Sequence, residues 1–273
     1  MAINFAEKYS NAVDEAFSLL SVTDRAVNND FDFTGAKTVK VYDMPTAPMG
    51  DYTTSGANRY GTPSELQDDV QELTLSRIRS FTFTLDKINS VDTPEGVRDA
   101  GKALARQLSQ VVIPEIDIYR LAAMGAGAGA NKTLAITKDN AYETFLDAQN
   151  ALREAKAPIP NRIAYVSPNF YKCIKLDDAF IKASDLAQTT LFNGQVGAID
   201  GVAIIPVPTS YMPENAEFLL THAVATTSPI KLAEYKIHID PPGIAGALVE
   251  GLVYYDAFVL KNKKGAIYLH TSA

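Results

Sequence analysis

One cysteine and three histidines are the residues of this chain that could supply nucleophilic or metal chemistry. A thiol beside a histidine can act as a nucleophile with its base, and Cys173 and His222 are the candidates. They belong to different predicted elements, and no catalytic signature surrounds either residue. Cys173 falls on a short predicted helix that must pack on its strand. We therefore interpret it as a buried structural thiol.

The remaining candidates for chemistry are equally weak. No pair among His222, His238 and His270 has the spacing of zinc ligands on a helix. Ser167 precedes a proline and lacks the G-x-S-x-G turn of a serine hydrolase. The acidic pair Asp177–Asp178 is interpreted as part of a solvated loop. The sequence thus predicts no catalytic residue, no metal site and no cofactor.

A glycine-rich run could in principle cradle a phosphate. Gly125, Gly127 and Gly129 alternate with alanines, and a Lys-Thr pair follows shortly after. A phosphate loop needs a second glycine five positions after the first, where Ala130 stands, and it follows a strand rather than a helix. We therefore expect these glycines to form a flexible connector between two parts of the chain.

Composition narrows the class of protein. The chain has 273 residues, 47% of them hydrophobic and 21% charged, which is typical of a folded protein of one or two domains. A net charge of −7 without a long basic run disfavours sequence-reading nucleic-acid binders. No apolar run is long enough to span a membrane, and the N-terminus lacks the pattern of a secretion signal. The single cysteine excludes an intrachain disulfide framework and fits a reducing compartment.

The longest helical pattern runs from Pro94 to Met124. Apolar or small residues recur at steps of three and four, which predicts one buried stripe: Val97, Ala100, Leu104, Leu108, Val111, Val112, Ile116, Tyr119 and Ala123. Pro114 is expected to kink this helix or to cut it in two. Glu115 and Asp117 lie beside that proline, and the sequence shows no partner for them.

Two strand patterns flank a long polar segment ahead of this helix. Thr38–Met44 and Gln71–Asp86 alternate like strands, and Pro45–Val70 lies between them. Loops of this length are uncommon in a compact domain and are usually functional. The pattern predicts an extended hairpin that lies on a neighbouring molecule. Further upstream, residues 3–20 form an amphipathic helical pattern through Phe5, Tyr9, Val13, Phe17 and Leu20.

The segment 131–228 resembles a compact α+β unit. It contains a helix over Asp139–Lys156, capped by Thr137 or Asp139, and a buried strand over Arg162–Ser167. A short helix over Pro168–Leu176 follows. The turn Asp200–Gly201 between two apolar segments predicts a tight hairpin, and Ala216–Thr221 is another strand.

The C-terminal part is rich in strand patterns. Pro229–Asp240 and Leu248–Lys261 are predicted strands, Asn262–Gly265 is a turn, and Ala266–His270 is expected to close a last hairpin. The long helix should pack across this sheet, which would pair an early strand with the final ones.

This order of elements resembles the major capsid protein of tailed bacteriophages, with the α+β Hong Kong 97-type fold. The resemblance covers nearly the whole chain, and two stretches carry it most specifically. Asn193–Pro208 is similar to the family's glycine-punctuated hairpin. Gly251–His270 is similar to its closing strands, which end in a Gly-Ile-Tyr-like step at Gly265, Ile267 and Tyr268.

The resemblance implies a division of the chain into named regions. Residues 1–34 would be an N-terminal arm, and 35–86 an extended loop. Residues 87–130 and 229–273 would form a peripheral domain with a spine helix over 94–124. Residues 131–228 would be the axial domain.

The resemblance also implies a structural protein rather than an enzyme. Its hexamers and pentamers would tile an icosahedral shell around double-stranded DNA, in a virion assembled in the bacterial cytoplasm, with portal and scaffolding proteins as partners and no membrane. The predicted assembly residues are Tyr52, Arg59, Tyr60, Glu65, Asp68 and Asp69 in the extended loop and Phe5, Tyr9 and Phe17 in the arm. The predicted hinge and turn residues are Pro114, Gly125, Gly127, Gly129, Asp200 and Gly201.

Two departures from the family pattern carry further expectations. Some members join neighbours through a Lys–Asn isopeptide whose lysine lies in the extended loop, but Pro45–Val70 contains no lysine, and Lys37 and Lys40 lie only at its base. We therefore expect no covalent cross-linking. Some members also carry a scaffolding region ahead of the arm, and here we expect a separate scaffolding protein.

Two other functions remain open from the sequence. An encapsulin, a bacterial nanocompartment shell of the same fold, would enclose an enzyme instead of DNA. A small-molecule α+β enzyme would need convergent polar residues in a pocket, and the sequence shows none.

Overall fold

A computed structural model of the chain describes residues 21–34, 36–43, 46–63, 65–66, 69–87, 100–177 and 197–272. The predicted arm helix with Phe5, Tyr9 and Phe17 lies outside these residues, as do Asp68 and the start of the long helix. Within the described ranges, no helix is long and apolar enough to cross a membrane.

The long helix is helical over all of its described length. It comprises α1 (Ala100–Gln107), a π turn (Leu108–Val112) and α2 (Ile113–Ala126). The predicted stripe is buried at Leu104, Leu108, Val112 and Ile116. Here "the long helix" means residues 100–126.

Pro114 does not cut the long helix in two. A proline ring clashes with the carbonyl four residues earlier and leaves it without a donor. The π turn lies directly ahead of the proline, and the amide of Ile113 bonds to the carbonyl of Leu108, five residues back. A π turn adds one residue to the local turn, which accommodates the proline while the helix continues.

The buried stripe packs across a three-stranded antiparallel sheet. Its order is β10 (Ile230–Ile239), β11 (Gly246–Tyr255) and β3 (Arg77–Asp86). The shared core contains side chains from the helix and from all three strands: Leu104, Leu108, Val112, Ile116, Phe81, Phe83, Tyr235, Val249, Val253 and Tyr255. The prediction that the long helix crosses a sheet pairing an early strand with late ones is confirmed.

The predicted strand Gln71–Asp86 is wrong as a single strand. It divides into β2 (Asp69–Thr74), which pairs with β1 (Thr38–Asp43), and β3, which pairs with β11. Leu75 and Ser76 separate the two, because the backbone and hydroxyl of Ser76 bond to the side chain of Asp256 instead of to a strand.

A mixed six-stranded sheet forms the second large layer. Its order is β4 (Ala130–Thr133), β13 (Ile267–Thr271), β8 (Ala216–His222), β5 (Arg162–Val166), β7 (Val202–Pro206) and β6 (Ala198–Ile199). Helices α3 (Ala141–Glu154) and α4 (Pro168–Leu176) pack on it. Phe145, Phe170 and Phe218 join these helices to the sheet, with ring centroids 4.8–6.1 Å apart.

Two predictions about the C-terminal strands are wrong. The predicted strand Leu248–Lys261 ends at Tyr255, and a separate short strand, β12 (Phe258–Val259), pairs with β9 (Thr226–Thr227). The last strand, β13, closes no hairpin with it, because β13 pairs antiparallel with β8 and parallel with β4. The final strand therefore joins the sheet of the 131–228 segment.

Short 3-10 turns link these elements. They span Asp24–Ala26, Thr209–Tyr211, Ala223–Ala225 and Lys261–Ala266. The last of these replaces the simple turn predicted at Asn262–Gly265.

The glycine-rich run ends the long helix, as predicted, but it is a packed junction and not a flexible connector. A Cβ atom added at Gly127 would lie 2.6 Å from Val259, and one at Gly129 would lie 2.5 Å from the carbonyl oxygen of Lys264. The amide of Gly129 also bonds to the carbonyls of Lys264 and Ile267, at 3.0 and 3.1 Å. At Gly129 two backbones approach closely, which favours glycine, whereas at Gly127 the close neighbour is the Val259 side chain. Gly125 packs in the same way on Pro213.

The predicted hairpin turn at Asp200 and Gly201 is confirmed in its geometry. Both residues have positive φ angles, 48° and 80°, as a type I′ turn requires. The Asp200 carboxylate also pairs with Arg153 at 2.9 Å, which ties the hairpin to α3.

Candidate assembly surfaces

The extended hairpin is built from β1, β2 and the segment between them. β1 and β2 pair in register from Thr38 opposite Thr74 to Asp43 opposite Asp69. The described residues beyond them, 46–63, form what we call the hairpin tip, and all of these residues are exposed. Met49 and Tyr60 have 102% and 92% of their surface exposed, so the tip has no core of its own.

The tip has a local structure despite its exposure. The rings of Tyr52 and Tyr60 meet edge to face, with centroids 5.0 Å apart. The amide of Thr53 bonds to the carbonyl of Arg59 at 3.1 Å, and Arg59 Nε bonds to the carbonyl of Gly56 at 3.3 Å. Within the described part of the chain, the hydrogen bonds of the tip join one tip residue to another. These contacts stabilise the bend of the tip from within, without a hydrogen bond to the described body of the subunit.

The other predicted loop residues fall into two groups. Glu65 is exposed beside the tip. Asp69 begins β2 and lies 3.8 Å from Lys261 of the body, so it belongs to the base of the hairpin. Tyr52, Arg59, Tyr60 and Glu65 are thus all exposed, whereas Asp69 belongs to the base of the hairpin.

The base of the hairpin has a small core. Leu73 and Leu75 are buried with Phe33 and Leu260, and the inner side of β1 packs against them through Val39. The side-chain amide of Gln71 adds polar contacts with the body of the subunit, at the carbonyl of Val259 and the amide of Lys261. The hairpin is thus fixed at its base and free at its tip.

The buried carboxylate of Asp256 is the centre of a first polar cluster, at the break between β2 and β3. Its Oδ2 accepts hydrogen bonds from the amide and hydroxyl of Ser76, at 2.9 and 3.0 Å. Its Oδ1 accepts from the Tyr119 hydroxyl at 2.6 Å and from the amide of Ala257 at 2.9 Å. Burial and the hydrogen bond to Asp256 raise the pKa of Tyr119 to about 12. We call Ser76, Tyr119 and Asp256 the strand-break cluster.

Glu115 extends this cluster along the long helix. Its carboxylate lies 2.6 Å from Arg79 Nε and 3.3 Å from Arg77 Nη2. The Arg77 guanidinium also lies over the ring of Tyr119 at 4.4 Å and donates to the Tyr255 hydroxyl at 3.1 Å. The first residues of β3 are therefore held to the helix by charge and ring contacts, in the turn that contains Pro114.

A second polar cluster, which is buried, holds the part of the predicted arm that directly follows its helical pattern. The Asp117 side chain is 1% exposed and accepts hydrogen bonds from the hydroxyls of Ser21 and Thr23 and from the amide of Val22. The Tyr165 hydroxyl donates to the Val22 carbonyl at 2.9 Å. Residues 21–23 are thereby fixed to the long helix.

Arg120 completes this second cluster. It is 2% exposed, its Nε donates to the Ser228 hydroxyl at 2.9 Å, and its Nη1 donates to the Thr23 hydroxyl at 3.2 Å. Burial lowers the pKa of this guanidinium, and the nearby carboxylates of Asp117 and Asp24 oppose that shift. We call Ser21, Thr23, Asp117 and Arg120 the arm anchor.

The residues considered for chemistry do not converge. Both ring nitrogens of His222 are engaged, with the Pro160 carbonyl at 3.0 Å and the Val224 amide at 3.1 Å, so His222 does not serve Cys173. Cys173 is partly buried against the core of the six-stranded sheet. His238 lies beside Glu250, at 3.3 Å. Ser167 caps α4 by accepting from the Phe170 amide.

Two further sequence interpretations need correction or restriction. Asp177 is not part of a solvated loop, because it is buried and its Oδ2 accepts from the Tyr142 amide in the first turn of α3. The N-cap of α3 is Asn140 rather than Thr137 or Asp139. Over the described ranges, no group of acidic, histidine or cysteine side chains could hold a metal ion.

Comparisons of this chain with a protein-family model and with solved structures agree with the fold described above. A family model described as phage capsid protein matches residues 71–268. Several solved structures share the fold at low sequence identity. Mycobacterium phage Che8 aligns at TM-score 0.74 and 16% identity, over 92% of this chain and 90% of that chain. The capsid structure of cyanophage P-SCSP1u aligns at 0.73 and 10%, over 92% and 87%.

A virus-like particle from Pyrococcus furiosus also aligns, at TM-score 0.61 and 13% identity, over 98% of this chain and 100% of that chain. No curated protein sequence matches. The predicted α+β fold of Hong Kong 97 type is confirmed by the structural alignments. From the family match over most of its length, the chain belongs to the phage capsid protein family and is a structural major capsid protein of the virion.

Proposed function

We propose that this chain assembles as hexamers and pentamers into an icosahedral phage head that encloses double-stranded DNA. Membership of the capsid family supports self-assembly into a shell. The net charge of −7 also fits, because a container should not bind densely packed DNA tightly. Portal and scaffolding proteins are the expected partners, with assembly in the host cytoplasm.

The main support for this proposal is the exposed hairpin tip. A segment with Met49, Tyr52 and Tyr60 exposed costs free energy in water unless another surface covers it. The tip forms no hydrogen bond with the described body of its own subunit, whereas its base is fixed by a small core. We therefore assign the tip, with Arg59 and Glu65, to contacts with the neighbouring subunit.

The remaining regions have proposed roles of their own. Residues 131–228, extended by β13, would meet their copies at the capsomer axis. The arm, with Phe5, Tyr9 and Phe17, would contact neighbours from its anchor on the long helix. Pro114 and its π turn would let the helix bend differently in immature and expanded shells. The absence of lysine from the tip supports shells without isopeptide cross-links.

Deletion of residues 47–67 tests the role of the tip. Asp43 and Asp69 are paired strand ends, and Met44, Pro45, Thr46 and Asp68 would remain to connect them. We expect the variant to fold, because the base core is untouched, but to lose shell assembly by at least tenfold. Electron microscopy counts the shells, and circular dichroism checks the fold. Normal shell formation would refute the role of the tip.

A nanocompartment shell is the second candidate function. The chain shares its fold with the Pyrococcus furiosus virus-like particle over nearly all of both chains, and the fold alone is compatible with either function. The contents of purified particles decide between the two functions. Packaged DNA supports the phage head, and a bound enzyme without DNA supports the nanocompartment.

A further inference from the structure

The three-stranded sheet under the long helix has two outer edges, which differ in how they are protected. Its order is β10, β11 and β3, so within the described part of the chain no strand pairs with the outer edge of β10 or of β3. Each of these two strands is 10 residues long. An unpaired edge exposes backbone donors and acceptors that can pair with another chain, unless charges, prolines or bulges block it.

The edge at β10 is blocked in these ways. Lys231 and Lys236 lie within the strand, and its register with β11 shifts between residues 230 and 232. Pro229 precedes the strand, and two prolines follow Asp240. Lysines, prolines and bulges of this kind keep an edge strand from pairing with a second sheet.

The edge at β3 lacks these features. Residues 80–85 read Ser-Phe-Thr-Phe-Thr-Leu, without a charge, a proline or a glycine, and they pair with β11 without a register shift. Threonine and phenylalanine favour strands, and an uncharged segment of such residues on an open edge pairs readily with another strand. We therefore expect a further strand to lie beside β3.

The apolar layer beneath the long helix is also open beside β3. A cleft of about 150 Å³ lies between the helix and the strand, and Phe81 and Val111 are part of its lining. Phe81 is only partly buried, and Val111 has 46% of its surface exposed. A strand added beside β3 would cover this apolar surface with its inward-facing side chains while its backbone pairs with β3.

A second copy of β3 has the side chains that this edge requires. Membership of the capsid family makes further copies of the chain the partners that a subunit meets. In β3, Phe81 and Phe83 pack toward the helix, whereas Ser80 and Thr82 are exposed on the outer face. Two antiparallel copies related by a twofold axis therefore present the same alternation to each other.

The charges near the ends of β3 favour one register of such a pair. Residues directly opposite each other in an antiparallel pair lie on the same face. With the twofold axis at Phe81, Arg77 lies opposite residue 85 of the second copy, a leucine. With the axis at Thr82, Arg77 would lie opposite Lys87, and like charges directly opposite are destabilising. The register centred on Phe81 avoids that repulsion.

We propose that in the assembled shell β3 pairs antiparallel with β3 of a second copy across a twofold axis. The two three-stranded sheets then form one continuous sheet of six strands. This pairing goes beyond the proposed function and does not depend on the hairpin tip. Shells that form without it would overturn the pairing and leave the proposed function intact.

Paired cysteines in purified shells test this proposal. Ser80→Cys with Thr82→Cys, in a chain that also carries Cys173→Ala, places thiols on the outer face of β3 close to those of the second copy. After mild oxidation, a gel run without reductant should show at least tenfold more disulfide-linked dimer than the control. Mass spectrometry should assign the bond to residues 80 and 82. The matched control, Lys236→Cys with His238→Cys, has the same spacing on the opposite edge strand.

A charge on the edge gives a second, independent test. Thr82→Lys brings two like charges together in the paired strands, so the yield of shells counted by electron microscopy should fall at least tenfold. His238→Lys on β10 is the control and should leave the yield unchanged. Both positions are exposed, so neither variant should shift the urea midpoint of the unassembled subunit. Disulfide dimer no more abundant than in the control, or Thr82→Lys shells at the parent yield, would overturn the proposal.

Discussion

The hairpin tip and the arm anchor show two opposite ways of using an arginine. Arg59 lies on the exposed tip, and within the described part of the chain its side chain bonds to a carbonyl three residues away. Arg120 lies on the long helix, is nearly fully buried, and contacts residues up to 108 positions away in the chain. We therefore expect residues at the anchor to contribute to the stability of the folded subunit. We expect residues at the tip to decide only whether folded subunits assemble.

The largest difference in stability between the two regions should appear when the arginine of each region is replaced by leucine. Arg120→Leu leaves the buried Asp117 without its nearby positive charge, so the free energy of unfolding should fall by about 3–5 kcal/mol. Arg59→Leu should change it by no more than about 0.5 kcal/mol. Urea titration of unassembled subunits measures both. Equal losses in the two variants would remove the distinction between anchor and tip.

A smaller loss is expected at the strand-break cluster. Asp256→Asn places an amide donor where all four partners of Asp256 donate, so at least one of these donors loses its acceptor. The expected loss of stability is about 1–3 kcal/mol. Asp51→Asn on the exposed tip is the matched control and should be neutral. If the two variants unfold at the same urea concentration, the cluster does not hold the strand break.

The smallest effect is a pH dependence at His270 in the six-stranded sheet. His270 stacks on Phe218, its Nε2 pairs with the Leu134 carbonyl at 2.8 Å, and its buried Nδ1 has no described partner. Burial lowers the pKa of His270 below its ordinary value of about 6.5. The unfolded chain then binds the proton more readily, so stability is full above about pH 6.5 and falls as the pH drops below it.

His270→Gln keeps a side-chain N–H donor for the Leu134 carbonyl and removes the imidazole that takes up the proton. Urea titrations at several pH values should show a shallower loss of stability below about pH 6.5 in this variant than in the parent chain. A residual slope is expected, because burial also lowers the pKa of His222. Identical slopes in the variant and the parent would rule out His270 as a contributor.

Local patterns in the sequence predicted the local features of the fold. The Pro168–Leu176 helix and the Asp200–Gly201 turn were both predicted correctly, because a capping serine with a following proline, or an Asp-Gly pair, determines the backbone over a few residues. The alternation that predicted one strand over Gln71–Asp86 could not reveal the break at Ser76. That break depends on Asp256, a residue 180 positions away.

The two polar clusters could not be predicted from the sequence, for the same reason. Asp117 and Arg120 look like ordinary polar positions of an amphipathic helix, and their partners lie near residue 21 and at Ser228. Periodicity alone places Arg120 on the polar side of the helix, whereas the structure buries it. The sequence offered one indication of these clusters, because Asp117 lies close to Pro114. A proline predicts an irregular turn of the helix, but it does not predict which residues contact Asp117.

Cryo-electron microscopy of the purified, assembled protein tests the central claim most directly. We expect closed shells of hexamers and pentamers in which the density of the hairpin tip, with Tyr52 and Tyr60, lies against an adjacent subunit. Particles whose tips contact only their own subunit, or a protein that stays monomeric at high concentration, would contradict the account.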